Sequence, residues 1–219
     1  MYNRTRVKIC GITRVQDASH AAARGADSIG LVFHQASPRI VELEQALEIC
    51  RILPPFVSVT ALFLDEDQDW IAQVVHRLRP DCLQFHGREC PEICAAWDIP
   101  YIKAIPMGST QNAVEYAAKF SSAQGFLLDS NAAGRLGGSG DTFDWSLIPA
   151  DFDFPLLLAG GINAENVAAA IARIRPWGVD VSSGVETAKG IKDPGLMDHL
   201  FREIRRGDEY HERHEKNDD

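Results

Sequence analysis

Short apolar, β-branched runs alternate with helix-period segments along almost the whole chain. The runs are RVKIC, DSIGLVF, VSVTALFL, DCLQF, YIKAI, GFLLD, PLLLA and GVDVS. Between them, sets such as Leu43, Ala46, Leu47 and Cys50, or Trp70, Val74 and Leu78, recur at a spacing that shares one helix face. The runs are almost continuously apolar rather than alternating, as in strands covered by helices on a parallel sheet. Helix starts are signalled by a Thr13–Gln16 capping box, by Ser109 and Asn163 as N-caps, and by Asp193 ahead of Pro194. Eight strand–helix units without a break in composition predict an α/β fold, a single-domain (β/α)8 TIM barrel over residues 1–206. An open doubly wound sheet fits less well, because no G-x-G-x-x-G follows the first run.

Composition narrows the class. At 219 residues, 45% hydrophobic and 24% charged, the chain suits one soluble domain with a substantial core. The net charge of −9 argues against a general nucleic-acid partner. Part of that charge is local: residues 207–219, GDEYHERHEKNDD, hold six acids against two basic residues and almost nothing to bury. This stretch reads as a solvated, disordered acidic tail. No run approaches a membrane span, and the N-terminus lacks a secretory pattern, so a cytoplasmic protein is expected. The five cysteines are odd in number and lack disulfide or zinc spacing, so all are expected to be reduced, with no metal bound.

In a barrel, chemistry collects at the C-terminal ends of the strands. Those ends read Cys10-Gly11, HQASPR, Asp65, QFHG, Pro106, Asp129-Ser130, AGGIN and SSGVE. Lys8 and Cys10, two apart in a strand, share one face. Asp129 closes an apolar run, where a carboxylate is costly unless partnered or at the mouth, so it is either a loop cap or an acid. The glycine-rich turns after runs seven and eight, with Gly160, Gly161, Ser183 and Gly184, are candidate phosphate cradles, although tight βα turns alone also call for glycine. A third glycine-rich stretch, GRLGGSGDTFDW, suits a lid or a connector. His86 either touches a ligand or is a satisfied loop histidine. Lys8 either tunes Cys10 or pairs with Asp180 on the strand that closes the barrel beside it.

These residues resemble one family, the phosphoribosylanthranilate isomerases of tryptophan biosynthesis. The likeness rests on KICGIT, GLVF with SPR, LQFHG, LLDS, GGSG with FDW, LAGGIN with ENV, and DVSSGVE with GIKD, in the family's order from Val7 to about Pro194. It implies a cofactor-free Amadori rearrangement, an aldose-to-ketose isomerisation of a phosphorylated small molecule. Cys10 is then the general base and Asp129 the general acid. Arg39 is expected to hold the anthranilate carboxylate, as suits a guanidinium fork. Substrate contacts are expected from His86, Gly138 and Asp180, and phosphate contacts from the two glycine-rich turns. The mechanism asks for a lowered Cys10 pKa, supplied by Lys8 and the following helix N-terminus, and a protonated Asp129.

Two stretches depart from the family pattern. The lid has Ser139 and Asp141 where threonine and lysine are usual, and Asp141 is expected to point outward. HQASPR replaces the commoner YPKSPR. A histidine-pathway sugar isomerase is the related alternative, but an aspartate is expected there in place of Cys10. A non-catalytic phosphosugar-binding barrel is the other, but it would have no need of the acid and the base. Neither nucleic acid nor membrane is an expected partner, and the chain is expected as a monomer or homodimer.

Overall fold

The computed structural model describes residues 4–110, 112–130, 144–149 and 152–215, with side chains as far as residue 210. Eight parallel strands close into a barrel in chain order. They are β1 (Arg6–Cys10), β2 (Ser28–Val32), β3 (Ser58–Phe63), β4 (Cys82–Phe85), β5 (Tyr101–Pro106), β6 (Gly125–Asp129), β7 (Leu156–Leu158) and β8 (Gly178–Val181). All eight predicted runs are therefore strands. Helices α1 (Val15–Arg24), α2 (Leu43–Arg51), α3 (Gln68–Leu78), α4 (Pro91–Ala95), α5 (Ala113–Ala118), α6 (Val167–Ile174) and α7 (Pro194–Glu215) wrap the outside. Between β6 and β7 the described residues hold a 3-10 turn at Trp145–Leu147.

Strand periodicity sorts the core into two shells. Outward residues such as Ile9, Ile29, Leu31, Ala61, Phe63, Phe85, Phe126 and Val179 pack beneath the helices. Inward residues form smaller groups: Ala104, Leu127, Leu157 and Ala159 in one, and Cys10, Val32 and Leu62 in another. Gly30 matters to this inner shell, because a β-carbon there would lie 2.9 Å from Cys10 Sγ and 3.0 Å from Lys8 Nζ. Its missing side chain is the space those two groups occupy.

The predicted caps fare unevenly. Asp193 caps α7, its carboxylate accepting from Leu196 N at 2.8 Å, with Pro194 as the first helical residue. Asn163 accepts from Glu165 N in the turn ahead of α6, and the helix itself begins four residues later. Thr13 is not a cap: its hydroxyl donates to the Gly190 carbonyl, and α1 starts after Arg14 without a side-chain cap. Asn112, rather than Ser109, caps α5 by accepting from Glu115 N.

The boundary expected at Gly207 also moves, because α7 continues to Glu215. Composition hid the reason. Gly207 lets the helix approach Ala168 and Ile171 of α6, where a β-carbon would sit 3.1–3.3 Å from their atoms. Asp208 accepts from Thr5 N at 3.1 Å and from the Thr5 hydroxyl at 2.7 Å. The backbone of α7 thus joins the barrel well into the stretch read as a tail. A short antiparallel hairpin, β9 (Glu186–Ala188) and β10 (Ile191–Lys192), separates β8 from α7.

Candidate active site at the barrel mouth

The C-terminal ends of the strands enclose one cavity. Its lining includes Cys10, His34, Arg39, Gln84, His86, Asp129, Gly160, Gly161, Asp180 and Ser183. Most residues singled out from the sequence therefore meet in one place. Gly138 and Asp141 lie outside the described residues. Gly184 is not part of the lining; a β-carbon there would lie 2.1 Å from the Ile162 carbonyl oxygen, so its bareness lets the last two strand-end loops cross.

Cys10 and Lys8 project inward from β1. Register pairs Lys8 with Asp180 across the β1–β8 seam, and Lys8 Nζ donates to Asp180 Oδ1 at 2.9 Å, with both side chains buried. Lys8 thus pairs with Asp180, and its charge also favours the Cys10 thiolate. The net effect on that thiol differs from expectation. Burial and the Asp180 carboxylate push the Cys10 pKa up, outweighing Lys8 and Lys192, which pull it down. The same cluster holds Lys8 charged: burial opposes the ammonium, but Asp180 and Cys10 favour it more, and its pKa rises.

Asp129 stands at the end of β6. Its Oδ2 lies 3.0 Å from His86 Nε2, and His86 Nδ1 lies 3.1 Å from Gln84 Nε2. With Gln84 as donor to Nδ1, the imidazole carries its proton on Nε2 and donates it to Asp129. His86 thus lines the cavity with both ring nitrogens partnered. The loop that carries it is tied from behind by Lys103, whose buried ammonium donates to the carbonyls of Phe85 and Gly87 and to Glu89.

Arg39 reaches the mouth from the loop after β2. Its stem crosses Gly11, where a β-carbon would meet Arg39 Cδ at 2.4 Å, and Gly11 adopts φ +71°. The guanidinium is bound along one edge by Glu186, through Nε to Oε1 at 2.9 Å and Nη2 to Oε2 at 2.8 Å. That pairing raises the Arg39 pKa. Lys192 Nζ donates to the same Glu186 Oε1 at 2.7 Å and to the Ser182 carbonyl at 3.1 Å. Burial pushes Glu186 up, yet the bonds from Arg39 and Lys192 hold its carboxyl below the usual range.

Glu186 and Lys192 are functional neighbours that sequence reasoning missed. They sat within quoted motifs, SSGVE and GIKD, but nothing in spacing linked them to Arg39. His34, the departure in HQASPR, lines the cavity and pairs through Nδ1 with Glu66 at 2.5 Å. The turn after β7 has Gly160 and Gly161 at φ +75° and +67°, a backbone closed to most side chains. Gly160 also has no room for a β-carbon, because Ser130 N would lie 2.6 Å away.

Fold and mouth together define a (β/α)8-barrel enzyme with paired ionisable groups facing glycine-rich strand-end turns. The family model for N-(5'-phosphoribosyl)anthranilate (PRA) isomerase matches residues 7–203, and the chain belongs to that family. A relative of that name from Halorhodospira halophila is 48% identical over 206 residues, covering 94% of this chain and 99% of its own. The phosphoribosyl anthranilate isomerase of Thermotoga maritima superposes with a TM-score of 0.83 at 40% identity, covering 92% of this chain and 98% of its own. A structure of the isomerase in complex with reduced 1-(o-carboxyphenylamino)-1-deoxyribulose 5-phosphate reaches 0.80 at 38% identity with the same coverage. A further T. maritima structure, at 0.80 and 37% identity with that coverage again, concerns an isomerase described as dimeric.

Proposed function

We propose that the chain catalyses the Amadori rearrangement of N-(5'-phosphoribosyl)anthranilate to 1-(o-carboxyphenylamino)-1-deoxyribulose 5-phosphate, with Cys10 and Asp129 as its base and acid. The activity follows from family membership: the chain is an aldose–ketose isomerase of tryptophan biosynthesis. The observation that carries the assignment of roles is the convergence of Cys10, Asp129 and Arg39 on one cavity bounded by Gly160 and Gly161.

Asp129 gives a proton to the ribose ring oxygen, and the ring opens to a Schiff base. Cys10, as thiolate, takes the proton from the adjacent C2′ carbon. The C2′ electron pair moves into the C1′–C2′ bond, giving an enolamine that tautomerises to the aminoketone. No electron leaves the substrate, so no redox cofactor is called for. His86, donating to Asp129, fixes the carboxyl at the mouth, a positioning task. Arg39 receives the anthranilate carboxylate. Gly160, Gly161 and Ser183, with Gly184 shaping the crossing, receive the phosphate on backbone N–H groups. The Lys8–Asp180 pair supports Cys10 from below.

Five unpaired thiols support a reducing, cytoplasmic setting. For assembly, the homodimer is the better supported of the two expected states. Phe56, at φ +73°, is fully exposed on the loop between α2 and β3, a large apolar side chain that a second copy would cover. Sedimentation of wild type and Phe56→Ser checks this: a wild type that stays monomeric at micromolar concentration overturns it.

The decisive assay follows the fluorescence of freshly made phosphoribosylanthranilate. Consumption by folded wild type, lost in Cys10→Ala and Asp129→Ala, is the expected result. Unchanged consumption in either variant removes that residue from its role.

A further inference from the structure

The β9–β10 hairpin folds back across the mouth and brings two charged side chains to Arg39. Glu186, from β9, binds the Nε/Nη2 edge of the guanidinium, and Lys192, from β10, binds the same carboxylate at 2.7 Å. All three side chains are buried, with relative exposures of 7% or less. Paired with one arginine alone, a buried carboxylate would cancel much of the charge that an incoming carboxylate must meet. Here Glu186 is shared between two cations, so the three groups together keep one net positive charge.

Lys192 is itself held from several sides. Its Nζ donates to the Ser182 carbonyl, its backbone N donates to Asp17 Oδ2, and its backbone carbonyl accepts from Arg14. The ammonium is thus anchored to α1 and to the strand-end loop of β8. Ser182 Oγ in turn lies near the Gly11 position over which the Arg39 stem passes. Lys192 therefore sits behind Arg39 and on the same side of the mouth as Cys10.

We propose that Lys192 is a positioning residue for the isomerisation: by sharing Glu186 with Arg39, it aims the guanidinium and leaves it positive toward the substrate carboxylate. The inference rests on the proposed role of Arg39. A second consequence comes with it, because Lys192 is one of the cations that favour the Cys10 thiolate. The groups facing that thiol are Lys8 from β1, Asp180 from β8, Lys192 from β10 and Arg39 from the loop after β2.

The test uses Lys192→Gln, which keeps a hydrogen-bond donor but loses the charge, together with Lys192→Met. Each is expected to raise KM for phosphoribosylanthranilate about tenfold or more with a smaller change in kcat, the pattern of lost substrate binding. Each should also move the thiol limb of the kcat/KM profile to higher pH. Lys192→Arg should restore both values toward wild type. The double variant Glu186→Gln/Lys192→Gln removes the carboxylate along with its second partner, so its KM should fall back below that of Lys192→Gln. A merely structural lysine would lower the melting temperature without this recovery. If Arg39→Met leaves KM unchanged, the reading of Arg39 fails. If Arg39→Met raises KM while folded Lys192→Gln and Lys192→Met do not, this inference alone fails.

Discussion

Lys8 Nζ and Asp180 Oδ1 meet at 2.9 Å across the seam where the first strand pairs with the last. Both side chains are buried, and the Lys8 charge also favours the Cys10 thiolate. The pair therefore serves closure and chemistry at once. Removing one partner of a buried ion pair typically costs about 3–5 kcal/mol, because the other charge is left uncompensated. Lys8→Met should lower unfolding stability by an amount of that order, and denaturant titration of the two proteins measures it. The raised Lys8 pKa sets the pH window. Its contribution is fully present below the ordinary lysine value of ~10.4 and is lost only as pH climbs through the higher folded value. The difference between the two proteins should accordingly stay constant from pH 6 to about pH 9.

The pH–rate profile should carry the mark of a raised thiol. With Cys10 as the proposed base, thiolate is the working form, and burial with Asp180 pushes its pKa above the usual ~8.5. Therefore, over the range in which Asp129 keeps its proton, kcat/KM should rise with pH, approaching a tenfold gain per unit on the lower limb. Initial rates between pH 6.5 and 9.5 report this directly. A plateau already reached at pH 7 in wild type would mean either that the bound substrate lowers the thiol pKa or that loss of the Asp129 proton offsets the gain in thiolate.

Gly30→Ala tests the shared space around Cys10. The new methyl group would crowd Cys10 Sγ at 2.9 Å and Lys8 Nζ at 3.0 Å, so one or both must shift. Overpacking of this kind costs about 1–3 kcal/mol in stability. Turnover should suffer more, since a misplacement of about 1 Å at a reacting group can cost a hundredfold. Comparing kcat with melting temperature separates the two effects, and a variant that loses stability but keeps its kcat would refute the point.

At the opposite end of the barrel, Asp27 offers a contrast. Its carboxylate accepts from Val7 N at 2.8 Å and pairs with Arg4, and although burial opposes ionisation, these bonds lower its pKa. Asp27→Asn should weaken the fold above the ordinary aspartate value of ~3.9, with the deficit shrinking as pH falls through the folded value. Because the site lies at the other mouth, kcat and KM should match wild type. Thermal melts at pH 7 and pH 3 beside a standard assay decide it.

How much of this was readable from the chain depends on how local each signal was. All eight strands appeared as apolar runs because every barrel strand is covered on its outer face and half filled on its inner one. Cys10, Asp129 and the paired glycines were singled out because they stand at strand ends, Arg39 because the family resemblance marks it, and all of them line one cavity. The pairing of Lys8 with Asp180 followed from closure of the barrel alone. The tail boundary failed because Gly207 and Asp208 look solvated in composition, yet are explained by partners about 40 and 200 residues away. The thiol pKa failed in sign because burial, invisible in a motif, outweighed the neighbouring cations. Glu186 and Lys192 escaped because only the hairpin brings them to Arg39.

The contacts between the two ends of the chain have a consequence for biosynthesis. Thr5 binds Asp208, Arg14 binds the Lys192 carbonyl, and His20 binds Asp198, so β1 and α1 are held by residues 178 to 203 positions later in the chain. The strand carrying Cys10 gains its neighbour β8, its counter-ion Asp180 and its cation Lys192 only after β8 and the β9–β10 hairpin have been made. A fragment that stops short of the β9–β10 hairpin has the cysteine without Lys192, one of the two cations that favour its thiolate. The electrostatic setting of the Cys10 thiol is thus a property of the closed barrel and its hairpin rather than of β1 alone.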